Sequence, residues 1–318
     1  MRRAWARYAD ALTFGWRNRR TLAIVAAMLR PGQGHALGWN LRRALTPADA
    51  RRAAVSLLRG QDALLEIEHD GVRWTIDVGD SIGEQLFSDG SFQRDELRAV
   101  LSWIEARPGV VVDLGANIGP TAIACARAGR AVVAVEPVPS TFALLRRNVE
   151  QNELDDRVTC VRHAISSASH VEMWTSSASG QNEVRVQDQP PGFLDFGVEA
   201  REPVQVDAIG LDDLVTSCGL APADVALVWS DTQGSEADVI DTGTHLWASA
   251  VPLWVEVWPA GLRLHGGSDR FLESVQRHFR AFIPRDDLVT GRRRERPIAG
   301  FATWFATVQY ETDVLLIP

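Results

Sequence analysis

From about residue 63 onward the chain alternates short apolar runs with helix-length stretches. The runs Val110–Leu114, Ala131–Glu136, Val158–Arg162, Val225–Ser230 and Pro252–Val257 are rich in valine and are not interrupted by polar residues at every second position. That pattern marks strands buried on both faces, and the helical spacers between them predict a parallel sheet built from βαβ units. Ahead of these runs, Leu64–Glu68 and Val72–Val78 alternate apolar and polar residues around Asp70-Gly71, which predicts a hairpin. Leu97–Arg107 has helical spacing and stops at Pro108-Gly109. Residues 277–284 and 301–317 supply two further strand candidates, the last ending in a terminal hairpin at Thr312–Pro318. One interval breaks the rhythm: about 176–202 is polar and Gly/Pro-rich, and is read as an insertion near an acceptor site.

Residues 1–62 follow a different pattern, helical stretches with arginine-rich faces, broken at Pro31–Gly34. The helix resumes at Thr46-Pro47, a capping residue followed by a proline that suits a first helical turn. The first 60 residues carry twelve arginines against the two acids Asp10 and Asp49, although the whole chain has a net charge of -8. The expected organisation is a basic helical extension over 1–62 and a Rossmann-like domain over 63–318. The extension is read as packing on the acidic domain, or on a second copy to give a homo-oligomer; a basic arm for an acidic partner, anionic lipid or nucleic acid is the alternative. Thr21–Leu29 is apolar but too short to span a bilayer, Arg30 closes it, and no small-x-small cleavage site follows. No transmembrane segment and a cytoplasmic location are therefore expected. The three cysteines, Cys125, Cys160 and Cys218, lack metal-ligand spacing, so no structural metal is expected.

Candidate chemistry concentrates where strands end. Val111-Val112-Asp113-Leu114-Gly115-Ala116-Asn117-Ile118-Gly119-Pro120 runs from a strand through a glycine bend into a helix start. Ligands of open α/β sheets bind at this kind of strand end. Gly115 permits a tight turn, and Gly119 a close helix contact. Val132–Pro137 ends the next strand on Glu136, 21 residues after Gly115, the spacing at which a carboxylate accepts ribose hydroxyls. A dinucleotide site needs a further glycine where Ala116-Asn117 stands, and Asp113 would repel a pyrophosphate. S-adenosylmethionine has no phosphate and carries an ammonium and a sulfonium, so it suits these residues better than NAD.

Asp113-Leu-Gly-Ala-Asn-Ile-Gly119, Val135-Glu136-Pro137, Val206-Asp207 with Leu211–Leu214, Asp231-Thr-Gln-Gly-Ser-Glu236 and Val255-Glu256 occur in order. Together they resemble the FkbM-type methyltransferase family over about residues 63–318, with Trp229-Ser230 where that family has a Lys-Ile pair. The resemblance implies an α/β class I methyltransferase fold, a Rossmann-like seven-stranded sheet with helices on both faces. It also implies O-methylation of a hydroxyl on a sugar or secondary-metabolite-like small molecule, with S-adenosylmethionine as cofactor; no nucleic acid partner is expected. Asp113, Gly115, Ala116, Asn117 and Gly119 would line the methionine end of the cofactor. Glu136 and Pro137 would hold the ribose, and His163 and Ala164 would stand near the adenine; His163 is read equally well as a surface histidine.

Asp231 and Glu256 end the fourth and fifth strands on the acceptor side. Each is a candidate base or positioning group, Asp231 also a cofactor contact, and the two together candidate ligands of a hard cation. His265, in the loop after the fifth strand, is a candidate base by its ordinary pKa. Trp229, Trp254 and Trp258 are candidates for an acceptor pocket, with core packing favoured for Trp254. Arg292–Arg296 is read as a solvated loop. A cofactor-binding protein without turnover and an NAD-dependent oxidoreductase remain the alternatives.

Overall fold

The structure, a computed structural model, describes residues 64–77, 80–176, 179–185, 191, 202–264 and 267–318. The extension expected over 1–62, and most of the interval 176–202, lie outside the described residues. The chain divides into two compact units, Met1–Phe92 and Gln93–Pro318.

In the first unit, β1 (Leu64–His69) and β2 (Val72–Asp77) form an antiparallel pair. Asp70 and Gly71 turn the chain with φ of 51° and 71°, the left-handed backbone that a two-residue hairpin loop requires. Helix α1 (Ser81–Asp89) follows. Its first turn is capped by Asp80 Oδ1, which accepts the Ile82 amide at 2.8 Å.

The second unit begins with α2 (Arg94–Trp103), β3 (Val110–Leu114), α3 (Pro120–Arg127), β4 (Val132–Val135), α4 (Pro139–Gln151) and β5 (Val158–Val161). Next come β6 (Ala164–Ile165), β7 (His170–Trp174), β8 (Glu183–Val184) and β9 (Val204–Ile209), which build a small sheet in the order β6-β9-β7-β8. The chain continues through α5 (Leu211–Ser217), β10 (Val225–Ser230), α6 (Glu236–Thr242), α7 (Thr244–Ala248), β11 (Leu253–Val257), α8 (Pro259–Leu264) and α9 (Ser268–His278). It closes with β12 (Ala281–Pro284), α10 (Arg285–Val289), β13 (Arg296–Pro297), α11 (Phe301–Phe305) and β14 (Thr312–Ile317).

The main sheet has the order β13-β12-β14-β11-β10-β3-β4-β5. Strands β5, β4, β3, β10 and β11 are parallel, and β14 inserts antiparallel between β11 and β12. This is the class I methyltransferase-like α/β fold: seven strands in a mixed sheet, with the two-residue β13 added at one edge. The reversal at β3 and β10 opens the crevice in which the candidate site lies.

Strand alternation divides the residues of β3. Val112 and Leu114 join a buried cluster with Leu214, Ile240, Trp247, Val275 and Phe301 from the flanking helices. Asp113 faces the other way, against α3, where the Ala122 backbone reaches its carboxyl. The parallel strands were legible because double burial leaves no polar alternation. The C-terminal stretch differs from the expected hairpin. Residues 301–305 are helical, because Phe301 and Trp304 dock on Phe282 with ring centroids 5.2 and 5.5 Å apart. Residues 312–317 alone form the strand, flanked on both sides by other strands. Among the described residues no helix is long and apolar enough to cross a membrane.

Candidate functional site

The carboxyl ends of β3, β4, β10 and β11 meet around the glycine bend. Gly115 has φ of 78°, and a Cβ there would lie 1.9 Å from the Asp231 carbonyl oxygen. The glycine therefore lets β3 and β10 close on each other. The Asp231 amide returns a hydrogen bond to the Leu114 carbonyl at 3.0 Å, and the Gly115 and Ala116 amides both donate to the Val135 carbonyl. Asn117 is left-handed at φ 50°, and its Oδ1 accepts the Ile118 amide at 2.8 Å. Gly119 (φ 98°) starts α3, where a Cβ would press to 2.9 Å from Leu145 of α4. Both glycines thus have a packing reason, and the bend has its shape before any ligand enters.

Asp113 is buried, and its Oδ2 has no hydrogen-bond partner among the described residues. Burial, with the Asp231 and Glu136 carboxylates, raises its pKa to about 8, against the pull of the Ala122 backbone. Glu136 is held firmly: Oε2 accepts the Asn117 amide at 3.1 Å and Oε1 the Val138 amide at 2.9 Å. Pro137, half-buried, joins these two anchor points. His163 lies between β5 and β6 beside buried Ala164, and its buried Nδ1 also lacks a partner among the described residues. Ser179, from the interval after β7, meets Asn117 Nδ2 at 3.0 Å, beside the bend.

The structure brings Asp231 and Glu256 together through a residue that the sequence analysis did not single out. Gln233 Nε2 donates to Asp231 Oδ1 at 2.7 Å and to Glu256 Oε2 at 3.0 Å. Burial raises Asp231 to about 6, with Gln233 opposing and Glu311 adding. Glu256 is driven well above its ordinary value, by burial first and then by Asp231, Glu236, Asp313 and Glu311. Asp313 stands opposite Glu256 in the β11–β14 register and is raised to about 8 by burial, Asp231 and Glu96. Glu236 is fully buried and raised to about 7, chiefly by burial. Its Oε1 accepts the Thr232 and Gly234 amides at 3.2 Å each, capping the turn ahead of α6. Ser235 makes no side-chain cap bond.

Among the described residues the result is a crevice with a large excess of carboxylates, which Arg285 reaches, 3.9 Å from Asp313 and bound also to Glu96. Among the described residues no group of three or more His, Cys, Asp or Glu is arranged to hold a metal ion. Such a crevice suits a ligand that brings positive charge and no phosphate of its own. His265 lies outside the described residues. Trp229, Trp254 and Trp258 are buried, and the rings of the first two pack 5.4 Å apart, so these side chains belong to the core. Asp313 was missed because its place opposite Glu256 depends on where β14 inserts. The sign that points to Gln233 is its position next to Gly234, between the two acids of Asp231–Glu236.

Comparison with known proteins corrects three expectations. The model of the TRM5/TYW2 methyltransferase domain matches residues 66–173. A tRNA(Phe) (4-demethylwyosine(37)-C(7)) aminocarboxypropyltransferase of Pyrococcus horikoshii is 28% identical over 120 residues, 37% of this chain and 41% of that protein. The chain thus matches about two fifths of the length of that relative. Solved structures similar in fold include P. horikoshii TYW2 in complex with MeSAdo, at 14% identity and a TM-score of 0.42, covering 87% of this chain and 83% of that one. M. jannaschii TYW2 in complex with AdoMet is similar at 14% identity and a TM-score of 0.42, covering 82% and 87%.

The resemblance to the FkbM-type family is accordingly set aside: the family model that matches part of the chain is that of the TRM5/TYW2 methyltransferase domain. The small-molecule hydroxyl acceptor inferred through that resemblance falls with it, and the expected absence of a nucleic acid partner is overturned by a relative whose own substrate is tRNA(Phe). The physical reason is that the residues read from the sequence, Asp113–Gly119 and Glu136, are read for a cofactor and carry no information about an acceptor.

Proposed function

We propose that the chain is an S-adenosylmethionine-dependent transferase that modifies a nucleotide of tRNA. The observation that carries this reading is the TRM5/TYW2 match over 66–173, the stretch that holds Asp113, the glycine bend, Glu136 and His163. The geometry supports the cofactor. Asp113 Oδ2, buried and without a partner among the described residues, suits an ammonium, and the Glu136 carboxylate, held at the end of β4 by the Asn117 and Val138 amides, suits the ribose hydroxyls. The unpartnered His163 Nδ1 suits an adenine amino group, with Ala164 beside it. Gly115, Ala116, Asn117, Gly119 and Pro137 shape the bend around these groups, and Asp231 adds charge from the far side.

When bound, the cofactor supplies an electrophilic carbon next to a sulfonium. The chain's part is to align an acceptor atom with that carbon and to receive the proton the acceptor loses. Asp231 and Glu256 are placed for the second task, and their raised pKa values bring them toward the range of a working base. The crevice acids would repel a phosphate backbone, so the reading admits only a base or ribose edge to the interior, with phosphates left outside.

Purified protein incubated with unfractionated tRNA and S-adenosylmethionine, labelled in parallel on the methyl and on the carboxyl carbon, tests this. Methyl label in RNA, with S-adenosylhomocysteine released, identifies methyl transfer. Carboxyl label in RNA, with methylthioadenosine released, identifies aminocarboxypropyl transfer. No label in RNA from either source rejects the proposal.

A further inference from the structure

Gln233 stands between two acids whose strands lie side by side in the sheet: Asp231 follows β10 and Glu256 is the fourth residue of β11. The amide nitrogen carries two hydrogens, so it serves both carboxylates at once, at 2.7 and 3.0 Å. The two oxygens it meets are then both acceptors, so a proton on either acid is best carried on its other oxygen. The residue is buried and its backbone is left-handed at φ 51°, an uncommon state for a residue other than glycine, followed by Gly234 at φ 100°. Glu236 pins this turn through the Thr232 and Gly234 amides and the Thr232 hydroxyl. A strained backbone held by a buried carboxylate, aiming one amide at two acids, is more than packing requires.

Carboxylates buried side by side normally share one proton, which raises one and lowers the other. We propose that Gln233 is a positioning residue that keeps Asp231 and Glu256 as two separate acceptors and prevents them from sharing a proton. This deepens, and rests on, the reading of the crevice as the place where an acceptor is deprotonated. Among the described residues, the charged groups around the pair are Asp113 from β3, Glu236 from α6, Asp313 in β14, Glu311 ahead of it and Arg285 of α10. Four of the five are acids, and Arg285 is engaged by Glu96, so none replaces the two donors of the amide.

The test follows the two carboxyl carbons by NMR as a function of pH in the full chain. In Gln233→Met, which keeps the length and loses both donors, the two midpoints should spread apart, the upper one rising by about one pH unit. Gln233→Asn keeps an amide and tolerates the left-handed backbone but is one methylene short. It should lose one of the two bonds and fall between wild type and Gln233→Met. The acid limb of turnover should move to higher pH in step, with little change in cofactor affinity. An unchanged titration in folded Gln233→Met overturns the proposal, and so does an unchanged titration in Gln233→Asn should the methionine variant not fold. A shifted titration without tRNA modification supports this role and counts against the tRNA reading alone.

Discussion

Asp113 is the residue where burial and charge are most at odds. It gains no cation among the described residues, yet it is set deep in the sheet with one oxygen unpartnered. A buried acid in that state destabilises the empty protein and waits for a positive group. Asp113→Asn keeps the shape and removes the charge. Its affinity for S-adenosylmethionine should fall by roughly ten- to a hundredfold, the value of a hydrogen bond to a charged partner, while the melting temperature of the empty protein at pH 8 should hold or rise. Calorimetric titration and thermal melts check the two halves. A variant that loses stability while keeping its affinity would show that Asp113 is a structural group. Glu136 makes a useful contrast, because its two oxygens already hold the Asn117 and Val138 amides. Glu136→Ala should lower both affinity and stability, the latter by about 1–3 kcal/mol for two amides left without their acceptor.

At the level of elements, the meeting of β3 and β10 decides whether a crevice exists. Gly115→Ala would drive a methyl into the Asp231 carbonyl oxygen 1.9 Å away, and backbone does not swing aside as a side chain does. Gly129→Ala provides the control. Its φ of 88° is as unfavourable, but nothing stands within 4 Å. The control should cost about 1–2 kcal/mol for the left-handed backbone alone, and Gly115→Ala clearly more, in urea unfolding. Equal losses would mean that the close approach of the two strands carries no energy. These same elements explain what the sequence disclosed. Val110–Leu114 and Val225–Ser230 announced doubly buried strands through composition, and Asp113, Glu136, Asp231 and Glu256 were found because each ends or follows such a run. Gln233 and Asp313 escaped notice because their significance is a matter of contact across the sheet. The partner of Glu256 is set by β14 inserting antiparallel, which no local pattern states. The acceptor stayed illegible for a related reason: the strand ends that bind a shared cofactor look alike whichever acceptor is used.

For the molecule as a whole, the acids of the crevice act together on stability. Asp113 and Asp313 are raised to about 8, Glu236 to about 7 and Asp231 to about 6, each chiefly by burial. In the unfolded chain these groups return to the ordinary carboxylate range near 4. Between pH of about 4 and about 8 the folded protein therefore holds more protons than the unfolded chain. A raised folded pKa gives stability that is complete below the unfolded value and is lost as pH climbs through the folded value. The melting temperature of the empty protein should thus decline steadily from pH 5 to pH 8. Each extra proton retained contributes a slope of about 1.4 kcal/mol per pH unit. A cationic ligand takes the place of the missing protons. Stabilisation by S-adenosylmethionine should accordingly be larger at pH 8 than at pH 6, and binding at pH 7 should release protons, seen as a dependence of the calorimetric heat on the buffer's ionisation enthalpy. A melting temperature that is flat or rising from pH 5 to pH 8, or a binding heat indifferent to buffer, would mean that these carboxylates are already ionised in the empty crevice and that its excess of acid is not held in reserve for a cation.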